Sequence, residues 1–361
     1  MSSWYQHDPM TALAAKEAAQ RLAFAPIAFQ AALSLRDLGI LSALDTAGNA
    51  GLTLAEIAER TGVSVYGASV LLDMGLSARI VIETDGRFAL ARMGHFLLHD
   101  AMTRANMNFT ADVCYRGMAQ LSESVRRGAP SGLREFGNWP TIYEGLSQLP
   151  EEVRRSWFGF DHYYSDSAFS ELLPRVLAGK PARLVDIGAN TGRWALRCCA
   201  FDAAVELTLV DLPQQLQVAM TNVQAAGHGA RVQAHPLDIL DARQPLPNAG
   251  EVWWMSQFLD CFAPLQVIDI LRRVRLAMPA DARLYILESF PDRQRFESAA
   301  YSLNAASLYF TCLANGNSRF YRCDDFLALV SAAGLELVEQ VDGIGLGHSL
   351  LQLRCGKCPG A

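Results

Sequence analysis

One stretch of seven residues limits this chain more than any other: Asp186-Ile-Gly-Ala-Asn-Thr-Gly192, directly after the strand-like run Ala182-Arg-Leu-Val185. An acid ends a buried strand, two glycines stand four positions apart, and a helix-like segment begins at Arg193. Further on, a second strand, Val205-Glu-Leu-Thr-Leu-Val210, ends in another acid, Asp211. A glycine turn lets the backbone approach a ligand closely, and an acid after the second strand can grip both hydroxyls of a ribose. The arrangement is that of a nucleotide-binding sandwich.

The spacing narrows the ligand. A dinucleotide fingerprint reads G-x-G-x-x-G, with a helix N-terminus facing a pyrophosphate. Here the pattern is D-x-G-x-x-x-G, one residue shorter between the outer glycines, with Asn190 in the middle. Asp186 before the first glycine suits a ligand bearing a positive amino group and would repel a pyrophosphate. The pattern resembles motif I of the Rossmann-like methyltransferases that use S-adenosylmethionine (SAM). The bland alternative is a plain βα turn with no ligand.

Downstream, strands and helices alternate. After Asp211-Leu-Pro213 come a helix, the strand-like run Val232-Gln-Ala-His235, and Leu237-Asp238-Ile239-Leu240. A fourth strand, Glu251 to Ser256, leads into Gln257-Phe-Leu-Asp260-Cys-Phe262. A long helix then runs from Pro264 to Ala277, and the strand Arg283 to Leu287 ends in Glu288. This alternation implies an α/β fold with a parallel, doubly wound sheet and ligands outside the strands' carboxyl ends. Asp186, Asp211, Asp238, Asp260 and Glu288 are all expected on that edge.

At 361 residues and 51% hydrophobic, the chain can bury two cores, so two domains are expected. No apolar run reaches the roughly 18 residues needed to span a bilayer. The N-terminus has no basic region before an apolar stretch, so neither a membrane segment nor a signal peptide is read. Eight scattered cysteines, with adjacent Cys198 and Cys199 as small buried filler, fit a reduced, cytoplasmic setting. Cys355-Gly-Lys-Cys358 is one C-x-x-C without a second pair or nearby histidine, so no zinc or redox role is assigned to it. No His/Asp cluster with ligand spacing is read either, and no metal is expected.

Ahead of this lies a mostly helical region. Helical periodicity runs through Ala12–Leu22 and Ala28–Leu38, with Gly39 as a stop. Thr53 and Glu56 form a capping-box pattern at the head of the next helix. A helix from Ser64 to Leu76 leads to Ile80-Val-Ile-Glu83, the turn Thr84-Asp-Gly86 and Arg87-Phe-Ala-Leu90. Three helices and a hairpin read as a winged helix. Residues 1–100 hold seven Lys/Arg against ten Asp/Glu, whereas a duplex-binding face should be basic. A dimerisation module is therefore expected, and no nucleic-acid partner.

From about Ala12 to Leu353 the chain resembles the small-molecule O-methyltransferases of plant phenolic and bacterial secondary metabolism. Its most specific matches are Leu52–Gly62, Asp186–Gly192, Asp211-Leu-Pro213, Asp238 and Phe326–Leu337. The resemblance implies a winged-helix dimerisation domain (1–105), a helical linker capping the active site (106–170) and a Rossmann-like SAM-binding domain (171–361). It implies a homodimer and a flat aromatic acceptor. It assigns Gly188 and Asp186 to the methionine end, Asp211 with Leu212 to the ribose, and Asp238 with Ile239 to the adenine. Ser165 resembles the family's carboxylate-binding serine, and Ser256 stands where a lysine is usual. Asn304, Tyr309, Phe310 and Asn315, with Met107 or Phe109, are implied to line the acceptor site.

The match breaks where the proton is removed. The family's catalytic histidine aligns with Asp260; of the two acids that orient it, one maps onto Glu288 and the other onto Phe320. A model phenol has a pKa near 10 and a model aspartate near 3.9, so transfer between them is uphill by about 8 kcal/mol. Asp260 works as a base if burial or Glu288 raises its pKa, or if the acceptor is unusually acidic. Positioning alone contributes about 7–11 kcal/mol and general-base help about 10²–10⁴-fold, so loss of the histidine does not exclude transfer. His162 and His348 are further candidates for acceptor contact. The expected activity is methyl transfer to a hydroxylated aromatic or conjugated molecule. The alternatives are aromatic C-methylation in a pigment pathway, a catalytically silent SAM-binding interaction protein, and a DNA-binding regulator.

Overall fold

A computed structural model of the protein describes residues 5–248 and 250–356. The chain divides into two compact units, Tyr5–Ala111 and the residues from Asp112 onward. Cys358, the second cysteine of the C-x-x-C, lies outside the described residues.

In the first unit, helices Ala12–Ala23, Ala25–Asp37, Ile40–Ala47, Leu54–Thr61 and Val65–Ser77 precede a hairpin of β1 (Val81–Thr84) and β2 (Arg87–Leu90). Helices Arg92–His99 and Ala101–Asn108 follow. The capping box forms as read: the Thr53 amide donates to the Glu56 carboxylate at 2.7 Å, and the Glu56 amide to the Thr53 hydroxyl at 3.3 Å. Asp85 and Gly86, at φ 52° and 72°, make the left-handed turn whose twist suits a two-residue hairpin. Leu35, Ile40, Leu41, Leu44, Ile57 and Leu72 are fully buried, giving this unit its own core. The first helix buries none of its residues.

This unit also brings together three side chains that the sequence did not group. Asp45, His95 and His99 come together on helices Ile40–Ala47 and Arg92–His99. The two histidines are one helical turn apart, but Asp45 joins them only through packing, so spacing along the chain did not reveal the group.

The second unit is built on a seven-stranded sheet of β3 (Arg183–Ile187), β4 (Glu206–Asp211), β5 (Val232–Pro236), β6 (Val252–Ser256), β7 (Arg283–Glu288), β8 (Leu335–Ile344) and β9 (His348–Cys355). The order is β5-β4-β3-β6-β7-β9-β8, with the first five strands parallel. β6 and β7 are buried along almost their whole length, as strands covered on both faces must be. The doubly wound expectation therefore holds for five strands, and the sheet as a whole is mixed. β8 and β9 are antiparallel to each other, and β9 to β7. A turn at Gly345-Leu-Gly347, too short for a crossover, allows no other pairing.

Consecutive Trp253 and Trp254 follow from the pleat, which sends neighbouring side chains to opposite faces. Trp254 stacks on Trp194 at 4.2 Å in one core, while Trp253 fills the other. Each indole contributes about 4–6 kcal/mol of burial before entropy is counted. Strand order reverses between β3 and β6, which opens a crevice at their carboxyl ends. Among the described residues, no single helix is long and apolar enough to cross a membrane.

Candidate active site

The crevice is shaped first by the turn after β3. Gly188 sits at φ 78°, its amide bonded to the Val210 carbonyl at 2.9 Å. A Cβ here would lie 2.4 Å from the ring of Phe258, so only glycine lets the two segments meet. Asn190 is also left-handed, at φ 49°, a conformation asparagine tolerates. Its amide donates to Asp211 Oδ2 at 2.8 Å, while the Leu212 amide donates to Asp211 Oδ1 at 2.7 Å. Both oxygens are fixed yet keep acceptor capacity toward the crevice.

Asp186 is 2% exposed, and its Oδ2 has no hydrogen-bond partner among the described residues. Burial, then the charge of Asp211, raises it to about 8. Burial also raises Asp211 to about 6, against the pull of its two amides. Asp238 is exposed and accepts the Leu240 amide at 2.9 Å, while Ile239 is buried. Arg273 pins this loop by donating to the carbonyls of Ile239 and Gln244.

A stability profile follows. Asp186 binds its proton more tightly folded than unfolded, so its contribution is full at low pH and is lost as pH rises through about 8. Buried His162 and His348, lowered to about 4, oppose this loss at the lower end of the window, where unfolded histidines still titrate. Asp161 and Asp260, raised to about 7, add to it, so the share of Asp186 is the difference in slope between the parent and Asp186→Asn. We expect the ligand-free protein to lose about 2 kcal/mol from this one group between pH 6.5 and 8.5. Thermal unfolding should show a Tm lower by several degrees at pH 8.5, and Asp186→Asn should flatten the slope. An equal slope in the variant would remove Asp186 as its source.

The loop after β6 carries the second half. Gln257 is left-handed, at φ 47°; its amide bonds Leu287 O at 2.8 Å and its Oε1 meets His348 Nε2 at 2.8 Å. Asp260 lies in the tight turn Leu259–Cys261 and is 4% exposed. Glu288 Oε1 accepts the amides of Phe258 at 3.1 Å and Leu259 at 2.8 Å, so this acid holds the very loop that presents Asp260. Its Oε2 and the Ser256 hydroxyl are buried without a partner among the described residues. Burial raises Asp260 to about 7; the Cys261 thiol, donating at 3.4 Å, opposes this and the charge of Asp161 adds to it. Burial and the charge of Asp260 hold Glu288 well above its ordinary range.

The long helix Glu151–Val176 passes over the glycine turn. Asn190 Nδ2 donates to Asp161 Oδ2 at 2.9 Å, and His162 Nε2 lies 3.2 Å from the Thr191 hydroxyl. Burial and the Arg193 guanidinium lower His162 to about 4, which keeps it neutral at physiological pH. Ser165 makes a long contact, 3.5 Å, to Asp166, which pairs with Arg193.

The expected acceptor residues divide. Tyr309 is buried, its hydroxyl accepting the Trp157 indole N–H at 2.7 Å. Asn315 differs from expectation: its Nδ2 donates to Cys261 O at 2.6 Å and Ser318 Oγ at 2.8 Å, while its Oδ1 accepts two amides. It is saturated by its own chain and braces the Asp260 turn. Asn304 is exposed on its helix, outside the hydrogen bonds that join this cluster. His348 is 1% exposed within β9, where it holds Gln257. Phe320 packs edge-on against Phe310 at 5.4 Å and supplies no charge. Met107 and Phe109 belong to the first unit.

Gly316, next to Asn315, has φ 90° and a backbone approach to Ala129 that would place a Cβ 2.5 Å from its Cα. Gly316→Ala should cost at least about 2 kcal/mol. A Tm within a degree of the parent would refute that close approach.

Sequence reasoning missed Asp161 and Tyr143. Burial and neighbouring Asp166 raise Asp161 to about 7, and the Tyr143 hydroxyl is buried within electrostatic reach of Cys261 and Asp260. The Phe160-Asp-His run held the signal for Asp161; nothing local marked Tyr143.

Two family models match this chain: a Dimerisation2-like domain over residues 16–88 and an O-methyltransferase domain over residues 166–336. The L-tyrosine C(3)-methyltransferase of Streptomyces lavendulae is 21% identical over 88% of this chain and 87% of its own length. The 3-amino-4-hydroxybenzoate 4-O-methyltransferase of Streptomyces cremeus is 27% identical over 85% and 82%. In fold, the chain is similar to the mitomycin 7-O-methyltransferase MmcR, with TM-score 0.74 at 20% identity over 95% of this chain and 98% of that one. With a Dimerisation2-like domain ahead of its O-methyltransferase domain, the chain matches the SAM-dependent O-methyltransferases of secondary metabolism.

Proposed function

We propose that the protein transfers a methyl group from SAM to a hydroxyl of a small aromatic molecule, with Asp260 as the proton acceptor. The observation that carries this is the convergence of the Gly188 turn, the amide-fixed Asp211 carboxylate and the buried, unpartnered Oδ2 of Asp186 at one sheet edge. A ligand with an ammonium group and a ribose satisfies those groups, so the residues present fit SAM. Asp211 would hold the ribose, Asp238 and Ile239 the adenine, and Gly188 with Asp186 the methionine end. Ser256 and Ser165 would serve its carboxylate. When bound, SAM supplies an electrophilic methyl on a sulfonium.

At about 7, Asp260 is roughly 3 units below a model phenol rather than 6, which halves the uphill transfer to about 4 kcal/mol. Glu288, by gripping the two amides before Asp260, orients that acid. His162 stays on the glycine turn, where it supports cofactor binding rather than proton removal. Helical segment 112–170 serves as the cap. The protein would act as a homodimer through its first unit, where Leu13, Leu22, Phe24 and Ile27 are exposed. Its buried free thiols suit the cytoplasm.

Methyl-labelled SAM with a panel of phenols is the test. Labelled product supports the reading; cofactor binding without transfer to any phenol would favour a silent sensor. A second reading, transfer to a ring carbon beside a phenol, draws on the C(3)-methyltransferase relative. The same base would serve, and NMR of the labelled product separates O-methyl from C-methyl.

A further inference from the structure

The first unit carries a donor set for which methyl transfer has no use. We propose that Asp45, His95 and His99 bind one divalent transition-metal ion, zinc or copper(II) in type, on the surface of this unit.

His95 Nδ1 lies 3.3 Å from Asp45 Oδ1, and His99 Nε2 lies 2.9 Å from Asp45 Oδ2. One ligand atom from each residue falls within 4.8 Å of the other two. Around a tetrahedral ion with bonds of about 2.0–2.2 Å, neighbouring donors stand about 3.4 Å apart. Small side-chain rotations reach that geometry. The imidazoles have room to make them, being 53% and 58% exposed, and Asp45 is 31% exposed.

The backbone, in contrast, is locked. Gly94 packs on the Ile80 carbonyl, where a Cβ would lie 2.4 Å away, and Leu97 is buried on the far side of the same helix turn. On the other helix, Leu41 and Leu44 are fully buried beside Asp45. Core packing thus presets the three attachment points, and only the donor atoms adjust. Two imidazoles and one carboxylate suit zinc, copper(II) or nickel; calcium and magnesium prefer all-oxygen sets. The ion would sit between the carboxylate and the two ring nitrogens that face it, each neutral imidazole carrying its proton on the other nitrogen. It would leave its remaining position to water and fasten two helices distant in sequence.

Titration calorimetry of zinc chloride into the tag-free full chain at pH 7.5 is the test, in a Cys358→Ser background that disables the tail C-x-x-C. The expected result is one ion per chain, with affinity at least tenfold weaker in His95→Gln and in His99→Gln, since even outer partners of a metal site are worth about 10–100-fold. Tm should rise with zinc in the parent and not in the variants. Absence of binding at on the order of 100 µM zinc would overturn the proposal. So would equal binding by the double variant. X-ray absorption on the zinc-loaded, unsubstituted chain is a separate check that needs no variant to fold. Imidazole nitrogens around the ion support the assignment, and sulfur neighbours overturn it.

Discussion

Gly188→Ala should lower kcat/KM at least 100-fold and cripple cofactor binding. The new methyl would sit 2.4 Å from Cδ2 and 2.9 Å from Cγ of Phe258. Alanine would also pay about 1–2 kcal/mol to hold φ 78°. Phe258 has little room to swing aside, because its ring packs on Phe262 at 4.9 Å and its backbone is held by Glu288 through two amides. The strain therefore reaches both the cofactor turn and the Asp260 loop. A loss of 100-fold corresponds to about 2.7 kcal/mol. Calorimetry with S-adenosylhomocysteine, run beside steady-state kinetics, reads both effects. Near-parental affinity would show that the Gly188–Phe258 contact does not shape the cofactor seat.

Asp260→Asn should reduce kcat by about 10²–10³-fold, within the usual range for losing a general base, while affinity for S-adenosylhomocysteine changes less than about threefold. In the parent, kcat should rise with pH through about 7 as Asp260 ionises, and that limb should vanish in the variant. A variant that keeps more than a third of its turnover with the same profile would mean that positioning alone suffices. Glu288→Gln separates orientation from proton transfer. It leaves Asp260 in place but weakens the grip on two amides, so kcat should fall while the limb persists.

Much of this was legible in the sequence because it is local. The Asp186–Gly192 turn, the acids ending β4 and β7, and the Thr53–Glu56 cap each need only a few neighbouring residues to declare themselves. The break at the histidine position was legible too, as Asp260 in its place. What escaped depends on which side chains meet across the fold. Asn315 was read as a ligand for the acceptor, because nothing in its neighbourhood shows that the Cys261 carbonyl, more than fifty positions earlier, takes its amide. His348 was read the same way, though Gln257 claims it from across two strands. Asp161 drew no notice because its importance comes from a helix crossing a turn. Asp45 completes a trio with His95 and His99 only once two helices pack. The β8–β9 reversal was likewise hidden, since strand periodicity is the same in either direction.

Gln257 keeps its unusual backbone angle because β7 holds its amide through Leu287 and β9 holds its side chain through His348. β9 is translated after the other eight strands, yet it lies inside the sheet, between β7 and β8. A nascent chain can thus assemble the nucleoside-facing half while the loop bearing Asp260 still lacks its brace. Competence would arrive in a single late step, when the final hairpin slots home.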